Sequence, residues 1–170
     1  MVRTATVQEI EEHLKRLGAG NHIDNMNQVR RFSHHYSLTL NADDFFSLVF
    51  CEIPEVSRIV PSQSDRRLRA VAERAIKLSE SDTYLGSNWD IAEIKSRSLT
   101  ASVNVPGYQI PALLLRDVGR SEAKWSPNGW YLQDGAHRAL GYAMMVLEGR
   151  ISYRSQSAYC ATNRIIAVAP

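Results

Sequence analysis

The sequence predicts a small α+β domain with a mixed sheet and a helical N-terminal extension. Two observations predict this class. Helical patterns dominate the first fifty residues, and apolar runs of strand length alternate with helical patterns over the rest of the chain. With 170 residues and 44% hydrophobic side chains, the chain can form one domain with a real core. We therefore expect a helical extension at residues 1–50 and the main domain at residues 51–170.

Local signals predict two helices in the extension. Thr6 and Glu9 have the spacing of a capping box ahead of an amphipathic run, which predicts a helix that ends near Gly18. Residues 21–36 are polar and irregular, and we expect them to wrap the surface. Asn41 is expected to cap a short second helix, because two aspartates follow it in what would be the first turn.

The main domain opens with a segment that contains two prolines. Pro54 and Pro61 interrupt an alternating apolar pattern, which predicts a short edge strand followed by a loop. Ser62 or Ser64 is expected to cap the next helix, in the run DRRLRAVAERAIKLSES. Five apolar residues of this run form a stripe at helical spacing, and we expect Arg66, Arg67 and Arg74 to lie mostly on the exposed side. The five are Leu68, Val71, Ala72, Ala75 and Leu78.

The remaining elements follow one another without a linker. Residues 81–105 are expected to be an insertion that begins with a short helix around NWDIAEIK and continues as extended chain. The apolar run in YQIPALLLRDV has the length of a buried strand, and WYLQ is the next strand. A helix in AHRALGYAMMVLEG and a closing strand in ISYRSQSAYCA complete the domain.

Composition limits the compartment and the partners that we expect. No apolar run approaches the roughly 18 residues that cross a bilayer, so we expect no membrane contact. Cys51 and Cys160 match no metal-ligand spacing, and we expect a reduced, cytoplasmic protein. The net charge of +2 is too small to indicate nucleic acid. Arginine makes up 16 of the 20 basic residues, which suits phosphate oxygens, although GC-rich codon usage would produce the same excess.

The strand WYLQ leads into a helix through the turn DGAHR, at residues 134–138. Gly135 allows a sharp turn, and the free N–H groups at a helix start attract anions. Arg138 offers a planar fork for phosphate, and His137 can donate a hydrogen bond or carry a proton near neutral pH. Asp134 can cap the helix, hold Arg138, or ligate Mg²⁺ that bridges phosphates. In the alternative interpretation Asp134 is only a cap, and His137 and Arg138 are solvated.

This turn, placed between a strand and an Ala-rich helix, resembles the D-G-x-H-R motif of the ParB/sulfiredoxin-like fold, which sulfiredoxins and free-serine kinases share. The segment EIPEVSRIVPSQSDRRLRAVAERAI resembles the opening of these domains, and IPALLLRDV and GRISYRSQSAYCA resemble two later strands. The resemblance covers residues 51–80 and 106–162. It implies that the phosphates of ATP or ADP contact four residues of the turn: Gly135, Ala136, His137 and Arg138.

The resemblance also bears on catalysis. Sulfiredoxins carry a cysteine at the position of Ala136, so sulfinic-acid repair is not expected here. The serine kinases use an acidic residue near the opening strand as a base, which implies Glu55 or Glu52 in this chain, with Asp134 and His137 as further catalytic candidates. Both glutamates can equally be exposed surface residues. Further phosphate contacts are expected from three residues of the following loop, unless the serines only cap a helix: Arg58, Ser62 and Ser64.

Together these observations predict an enzyme that binds ATP or ADP and transfers a phosphoryl group to an unknown small-molecule acceptor, or hydrolyses it, with Mg²⁺ as cofactor. The alternative is a ParB-like DNA-binding protein or nuclease of a plasmid, phage or defence system, which the arginine-rich run DRRLR at residues 65–69 would favour. A third class is a binding module that has the fold without the chemistry.

Overall fold

The structure is a computed structural model that describes residues 1–18, 21–51, 53–60, 65–80, 84–86, 89–104, 107–117 and 129–168. Within these ranges the chain forms five strands and seven helices. Their order along the chain is β1 (Val2–Thr4), α1 (Val7–Arg16), α2 (His22–Val29), β2 (His34–Leu40), α3 (Ala42–Phe46), α4 (Pro54–Ile59), α5 (Leu68–Leu78), α6 (Ile91–Asn104), β3 (Leu113–Asp117), β4 (Trp130–Asp134), α7 (Ala136–Leu147) and β5 (Gln156–Thr162).

One five-stranded sheet, with the strand order β1–β2–β5–β3–β4, organises the described part of the chain. β3 and β5 run parallel, whereas the other neighbours are antiparallel. β5 lies in the middle, where Cys160 pairs with Tyr36 of β2 on one side and with Leu115 of β3 on the other. The mixed sheet and its helices confirm the predicted α+β class.

Helices cover both faces of the sheet. Alternate residues of a strand point to opposite faces, so Leu113 and Leu115 of β3 join one core and Leu114 joins the other. On the Leu114 face, α1 and α2 contribute the apolar side chains, among them the fully buried Ile10 and the nearly buried Met26. The opposite face carries the larger core, to which α5, α6 and α7 contribute. The sheet is therefore the middle of three layers.

The first fifty residues are not the helical extension that the sequence predicts, because β1 and β2 are strands of the sheet. Residues 21–36, expected to be irregular, form α2 and the start of β2. The buried side chains of α2 have helical spacing, at Asn25, Met26 and Val29, but polar neighbours obscure that pattern in the sequence. Tertiary packing rather than local propensity therefore determines this region.

Two local signals of the N-terminal region are confirmed. Thr6 Oγ1 accepts a hydrogen bond from the Glu9 N–H at 3.1 Å, and Glu9 Oε2 accepts one from the Thr6 N–H at 2.9 Å, which completes the capping box of α1. Asn41 caps α3, because its Oδ1 accepts from the Asp44 N–H at 2.9 Å. Both signals depend on residues within one helical turn of each other, so the local sequence is enough to predict them.

The predicted edge strand is wrong, since Pro54–Ile59 is the helix α4. Pro54 lies in the first turn of α4, where its missing N–H costs no helical hydrogen bond. Extended backbone lies upstream instead, at Val49. The Val49 N–H donates to the Trp130 carbonyl at 2.8 Å, and the Val49 carbonyl accepts from the Leu132 N–H at 2.9 Å. Val49 therefore pairs with β4 on the side away from β3.

The helix α5 begins at Leu68, later than the sequence predicts, and its N-cap is Arg67. Ser62 and Ser64, the expected caps, lie outside the described residues. The buried stripe of α5 is confirmed for four of the five expected residues, and the fifth, at the last turn, is half-buried. The four are Leu68, Val71, Ala72 and Ala75.

The arginine-rich run at residues 65–69 is only partly exposed. Arg66, expected on the exposed side, is completely buried. Its guanidinium donates hydrogen bonds to the Cys51 carbonyl oxygen and to Ser57 Oγ, each at 2.9 Å, which compensates for the burial of its charge. Arg67 forms an ion pair with the aspartate two residues before it. The run therefore presents less free positive charge than its sequence suggests.

Residues 91–104 form one continuous helix, α6, where the sequence predicts a short helix and then extended chain. This helix packs closely on α7 at Gly141. A Cβ added to Gly141 would overlap with Ser98 Oγ and would lie 3.0 Å from the Ile94 carbonyl oxygen. The missing side chain therefore lets α6 approach the first half of α7.

The last four elements agree with the sequence except at one boundary. β3, β4 and α7 lie where the apolar runs predict them, and α7 ends just before Gly149, which has a φ of 69°. β5 begins at Gln156, later than the predicted strand. Over the described ranges, no helix combines the length and the apolar character that crossing a membrane requires.

Candidate functional site

The turn between β4 and α7 has the geometry that its sequence predicts. Gly135 has a φ of 93°, a left-handed conformation that glycine adopts without strain. A Cβ at this position would lie 2.6 Å from Leu113 Cδ2 and 2.9 Å from Arg138 Nη2. Both the conformation and the close contacts therefore require a glycine between the strand and the helix.

The N-terminus of α7 carries no side-chain cap within the described residues. The first helical hydrogen bond runs from the Ala139 N–H to the Gly135 carbonyl, at 2.8 Å. The N–H groups of Ala136, His137 and Arg138 precede it and have no carbonyl partner within the helix. These donors and the positive end of the helix dipole together favour an anion at this point.

Asp134 holds Arg138, which is one of the three roles that its sequence position allows. Asp134 Oδ2 lies 3.1 Å from Arg138 Nη2, and Asp134 Oδ1 accepts a hydrogen bond from Asn25 Nδ2 at 3.2 Å. The same guanidinium has a buried Nε–H for which the described part of the chain supplies no acceptor. Arg138 is therefore fixed at one end and can still donate from the other.

His137 packs edge-on against Trp89, with ring centroids 4.4 Å apart and an interplanar angle of 79°. Its Nε2 is buried, and no described group forms a hydrogen bond with it. Burial lowers the pKa of His137 below its ordinary value of 6.5, and the positive charges of Arg97 and Arg138 lower it further. The carboxylates of Asp134 and Glu55 oppose this shift without reversing it. His137 is therefore a neutral imidazole at physiological pH.

These groups line a cleft of about 710 Å³. One wall is the turn and the N-terminus of α7, and the opposite wall comes from α6 and the residues on either side of it. The contacting residues are Asn21, Trp89, Ile94, Arg97, Ser98, Tyr108, Gln133, Asp134, Gly135, Ala136, His137 and Arg138. A volume of this size is typical of sites for small organic ligands.

The α6 wall of this cleft differs from the sequence-based expectation. Ile94, Arg97 and Ser98 share one face of α6, with the i, i+3, i+4 spacing that a helix requires. The sequence predicts a short helix around NWDIAEIK, which ends before Arg97 and Ser98, so their shared face with Ile94 is not expected from it. Asn25, which contacts Asp134 from the other side of the sheet, has no sequence signal, since more than one hundred residues separate the two.

The other predicted site residues either do not line the cleft or lie outside the described residues. Glu55, half-buried on α4, does not contact the cleft directly, but its carboxylate is close enough to His137 to influence the pKa of that residue. Arg58 is exposed and donates from Nη1 to the Leu85 carbonyl at 2.6 Å, so it holds the chain just before Trp89. Glu52, Ser62 and Ser64 lie outside the described residues.

A magnesium ion finds no preformed ligand set here. Both oxygens of Asp134 already accept hydrogen bonds, from Asn25 and from Arg138. Within the described ranges, no three His, Cys, Asp or Glu side chains come close enough together to hold a metal ion. Mg²⁺ at Asp134 would compete with Asn25 and with the positive charge of Arg138 for the same carboxylate, so the donor set fits an anion better than a cation.

Comparisons with protein-family models, with curated proteins and with solved structures found no match to this chain. The resemblance of the turn DGAHR to the ParB/sulfiredoxin-like fold therefore stays a prediction. The site must be interpreted from its own geometry: a capless helix N-terminus, a fixed arginine, a neutral histidine and an aromatic wall, all around one cleft.

Proposed function

We propose that this cleft binds the phosphates of a nucleotide, ATP or ADP, and that the protein transfers the terminal phosphoryl group to a small-molecule acceptor or hydrolyses it. The observation that carries the proposal is the pair of buried, unsatisfied groups at the start of α7. Within the described structure, Arg138 Nε and His137 Nε2 have no hydrogen-bond partner. Buried polar atoms normally have one, so a ligand oxygen is the natural partner for both.

The charges around the cleft favour an anion. Arg97 and Arg138 both reach the lining. Arg97 is paired with Glu93 outside the lining, and Arg138 is paired with Asp134, the only full negative charge among the described lining residues. The free N–H groups of α7 add the partial positive charge of the helix dipole at the same place. A phosphate group can accept from these N–H groups and from the Arg138 Nε–H together, which is the arrangement that helix N-termini provide in other phosphate sites.

The apolar part of the cleft lining suits the nucleoside. Ile94 and the aromatic residues Trp89 and Tyr108 contribute apolar surface to the cleft, and Trp89 packs against His137. Apolar walls with a few convergent polar groups are typical of sites for nucleotide-sized ligands. The resemblance of residues 134–138 to the D-G-x-H-R turn supports the same ligand.

Catalysis at such a site would depend mainly on positioning and on neutralisation of the phosphate charge. Arg138 and the N–H groups of α7 are the groups that would stabilise the charge of the transferred phosphoryl group. Glu55 is the proposed base for the hydroxyl of the acceptor, because its carboxylate is near His137 but comes from a separate helix. Mg²⁺ would arrive bound to the nucleotide and would neutralise part of the phosphate charge. The requirement for Mg²⁺ stays a prediction.

The proposal is tested by measuring ADP and ATP affinity calorimetrically for the wild type and for Arg138→Ala. Loss of one charge-assisted hydrogen bond should weaken binding by roughly 1.5–3 kcal/mol, about 10- to 150-fold in affinity. Arg74→Ala is the matched control, because Arg74 is exposed on α5, away from the cleft. Equal affinities for wild type and Arg138→Ala, with both proteins folded, would place the nucleotide elsewhere.

DNA binding remains the alternative, but the structure removes part of its support. Arg66 is buried and Arg67 is paired, so the run at residues 65–69 is not a free basic patch. A DNA-binding protein would lose affinity steeply as salt rises, because phosphate contacts release counterions. Strong, salt-dependent binding in a gel shift, together with no affinity for ADP, would favour this alternative over the nucleotide site.

A further inference from the structure

A chain of hydrogen bonds runs from α2 to the phosphate-binding arginine. Asn25 of α2 is only 1% exposed. Its Nδ2 donates to Asp134 Oδ1 at 3.2 Å, and its Oδ1 accepts from Gln133 Nε2 at 3.0 Å. Asp134 in turn accepts from Arg138 through its other oxygen, at 3.1 Å. Four side chains from α2, β4 and α7 thus form one connected network.

Arg116 of β3, which donates to Gln133, determines which amide atom donates and which accepts in the hydrogen bonds of Gln133 and Asn25. Arg116 can only donate, and its Nε donates to Gln133 Oε1 at 3.0 Å. The amide nitrogen of Gln133 must therefore face Asn25, whose oxygen accepts from it. That leaves the Asn25 nitrogen to face Asp134, which is an acceptor when ionised. Neither the Asn25 nor the Gln133 side-chain amide can be flipped without losing both of its hydrogen bonds in this network.

We propose that Asn25 is a positioning residue for the phosphate site: it fixes the carboxylate of Asp134, and Asp134 holds the guanidinium of Arg138 ready for the ligand. This inference rests on the proposed function. Asn25 is not among the described residues that contact the cleft, and it is uncharged. Its effect on a phosphate can therefore run only through the geometry of its partners.

Positioning of this kind improves affinity because it lowers the entropic cost of ligand binding. A free arginine side chain has many rotamers, and binding a ligand would have to select one of them. In this protein one hydrogen bond, from Asn25, orients Asp134 before the ligand arrives, and Asp134 in turn restricts Arg138 through its other oxygen. Asn25→Ala changes no formal charge and removes no residue of the cleft lining, so it tests the contribution of orientation. It also removes the hydrogen-bond partner of Asp134 Oδ1 and of Gln133 Nε2.

The first test compares ADP affinity in a double-mutant cycle of Asn25→Ala and Arg138→Ala. We expect Asn25→Ala to weaken ADP binding by between about 2-fold and about 10-fold, less than the loss of a direct hydrogen bond to the ligand, because the effect reaches the ligand only through Asp134 and Arg138. In the Arg138→Ala background the same substitution should have almost no effect, because the group that it positions is gone. Asn27→Ala, an identical change at an exposed position of the same helix, is the control and should bind like the wild type.

Two results of this cycle would overturn the inference. One is an unchanged ADP affinity for a folded Asn25→Ala variant. The other is an equal loss in both backgrounds, which would mean that Asn25 supports the fold and does not act through Arg138. Absence of ADP binding by the wild type would instead contradict the proposed function. This outcome differs from failure of the positioning role, in which the wild type binds ADP and Asn25→Ala binds it equally well.

A second measurement needs neither a ligand nor a folded variant. Nitrogen relaxation of the arginine Nε–H groups in the wild type should show that Arg138 is more rigid than the exposed Arg74. In Asn25→Ala, if it folds, the Arg138 signal should approach that of Arg74. A wild-type Arg138 as mobile as Arg74 would refute positioning by Asn25, whatever the affinity measurements give.

Discussion

The contact between α6 and α7 depends on the absence of a single side chain, at Gly141. In a Gly141→Ala variant the new Cβ would overlap with Ser98 Oγ and would lie 3.0 Å from both Ser98 Cβ and the Ile94 carbonyl oxygen. The hydroxyl of Ser98 can rotate away. The carbonyl oxygen is part of the α6 backbone, and it can move only if the helix moves.

Two effects of opposite sign determine the magnitude. Alanine in a helix interior is favoured over glycine by about 1 kcal/mol. Overpacking of a close interface costs about 1–3 kcal/mol. Because one of the close atoms belongs to backbone, we expect the upper part of the overpacking range to apply. The net loss in the free energy of unfolding should therefore be about 1–2 kcal/mol.

Thermal unfolding followed by circular dichroism measures this loss directly. For a domain of this size, about 1–2 kcal/mol corresponds to a fall in Tm of about 2–8 °C. The same substitution in a Ser98→Ala background should be less harmful, because the overlapping hydroxyl is gone while the contact with the Ile94 carbonyl remains. A Tm equal to or above that of the wild type would show that α6 and α7 are not in close contact at Gly141.

Two further predictions concern the cleft. The pKa of His137 is lowered, so below pH 6.5 the unfolded chain binds a proton that the folded protein resists, and stability should fall as the pH drops through this window. Urea unfolding at several pH values should show a weaker pH dependence for His137→Asn, and identical profiles would contradict a buried neutral imidazole. Glu55→Gln should lower ATP turnover by about 10²–10⁴-fold with little change in ADP affinity, because it removes only the base. Glu73→Gln, on the exposed side of α5, should turn over ATP normally, and persistent turnover in Glu55→Gln would move the base elsewhere.

The features that sequence analysis predicts correctly are those with local causes. The capping box at Thr6 and the cap at Asn41 each involve atoms within one helical turn, so the residues themselves carry the information. Gly135 is of the same kind, since its left-handed φ permits the turn from β4 into α7. The central part of the site, residues 134–138, could therefore be found from the sequence.

The features that it misses have causes elsewhere in the chain. Pro54 suits an edge strand as well as the start of a helix, and only the pairing of Val49 with β4 shows which applies. Arg66 has the sequence context of a surface residue but is buried. The Cys51 carbonyl oxygen and Ser57 Oγ of α4 accept hydrogen bonds from its guanidinium. The hydrogen bond from Asn25 to Asp134 links α2 to the end of β4, 109 residues further along the chain, and no local sequence pattern predicts such a contact.

The central position of β5 has a consequence for the order in which the protein can fold. β5 is the last of the described strands along the chain, yet it is the only link between the β1–β2 pair and the β3–β4 pair. Two-stranded pairs are marginally stable by themselves, so the sheet cannot be completed during synthesis before the segment Gln156–Thr162 leaves the ribosome. Until then the backbone N–H and C=O groups along one edge of β2 and one edge of β3 lack the strand that pairs with both. Because these pairings connect distant parts of the chain, folding should be slow.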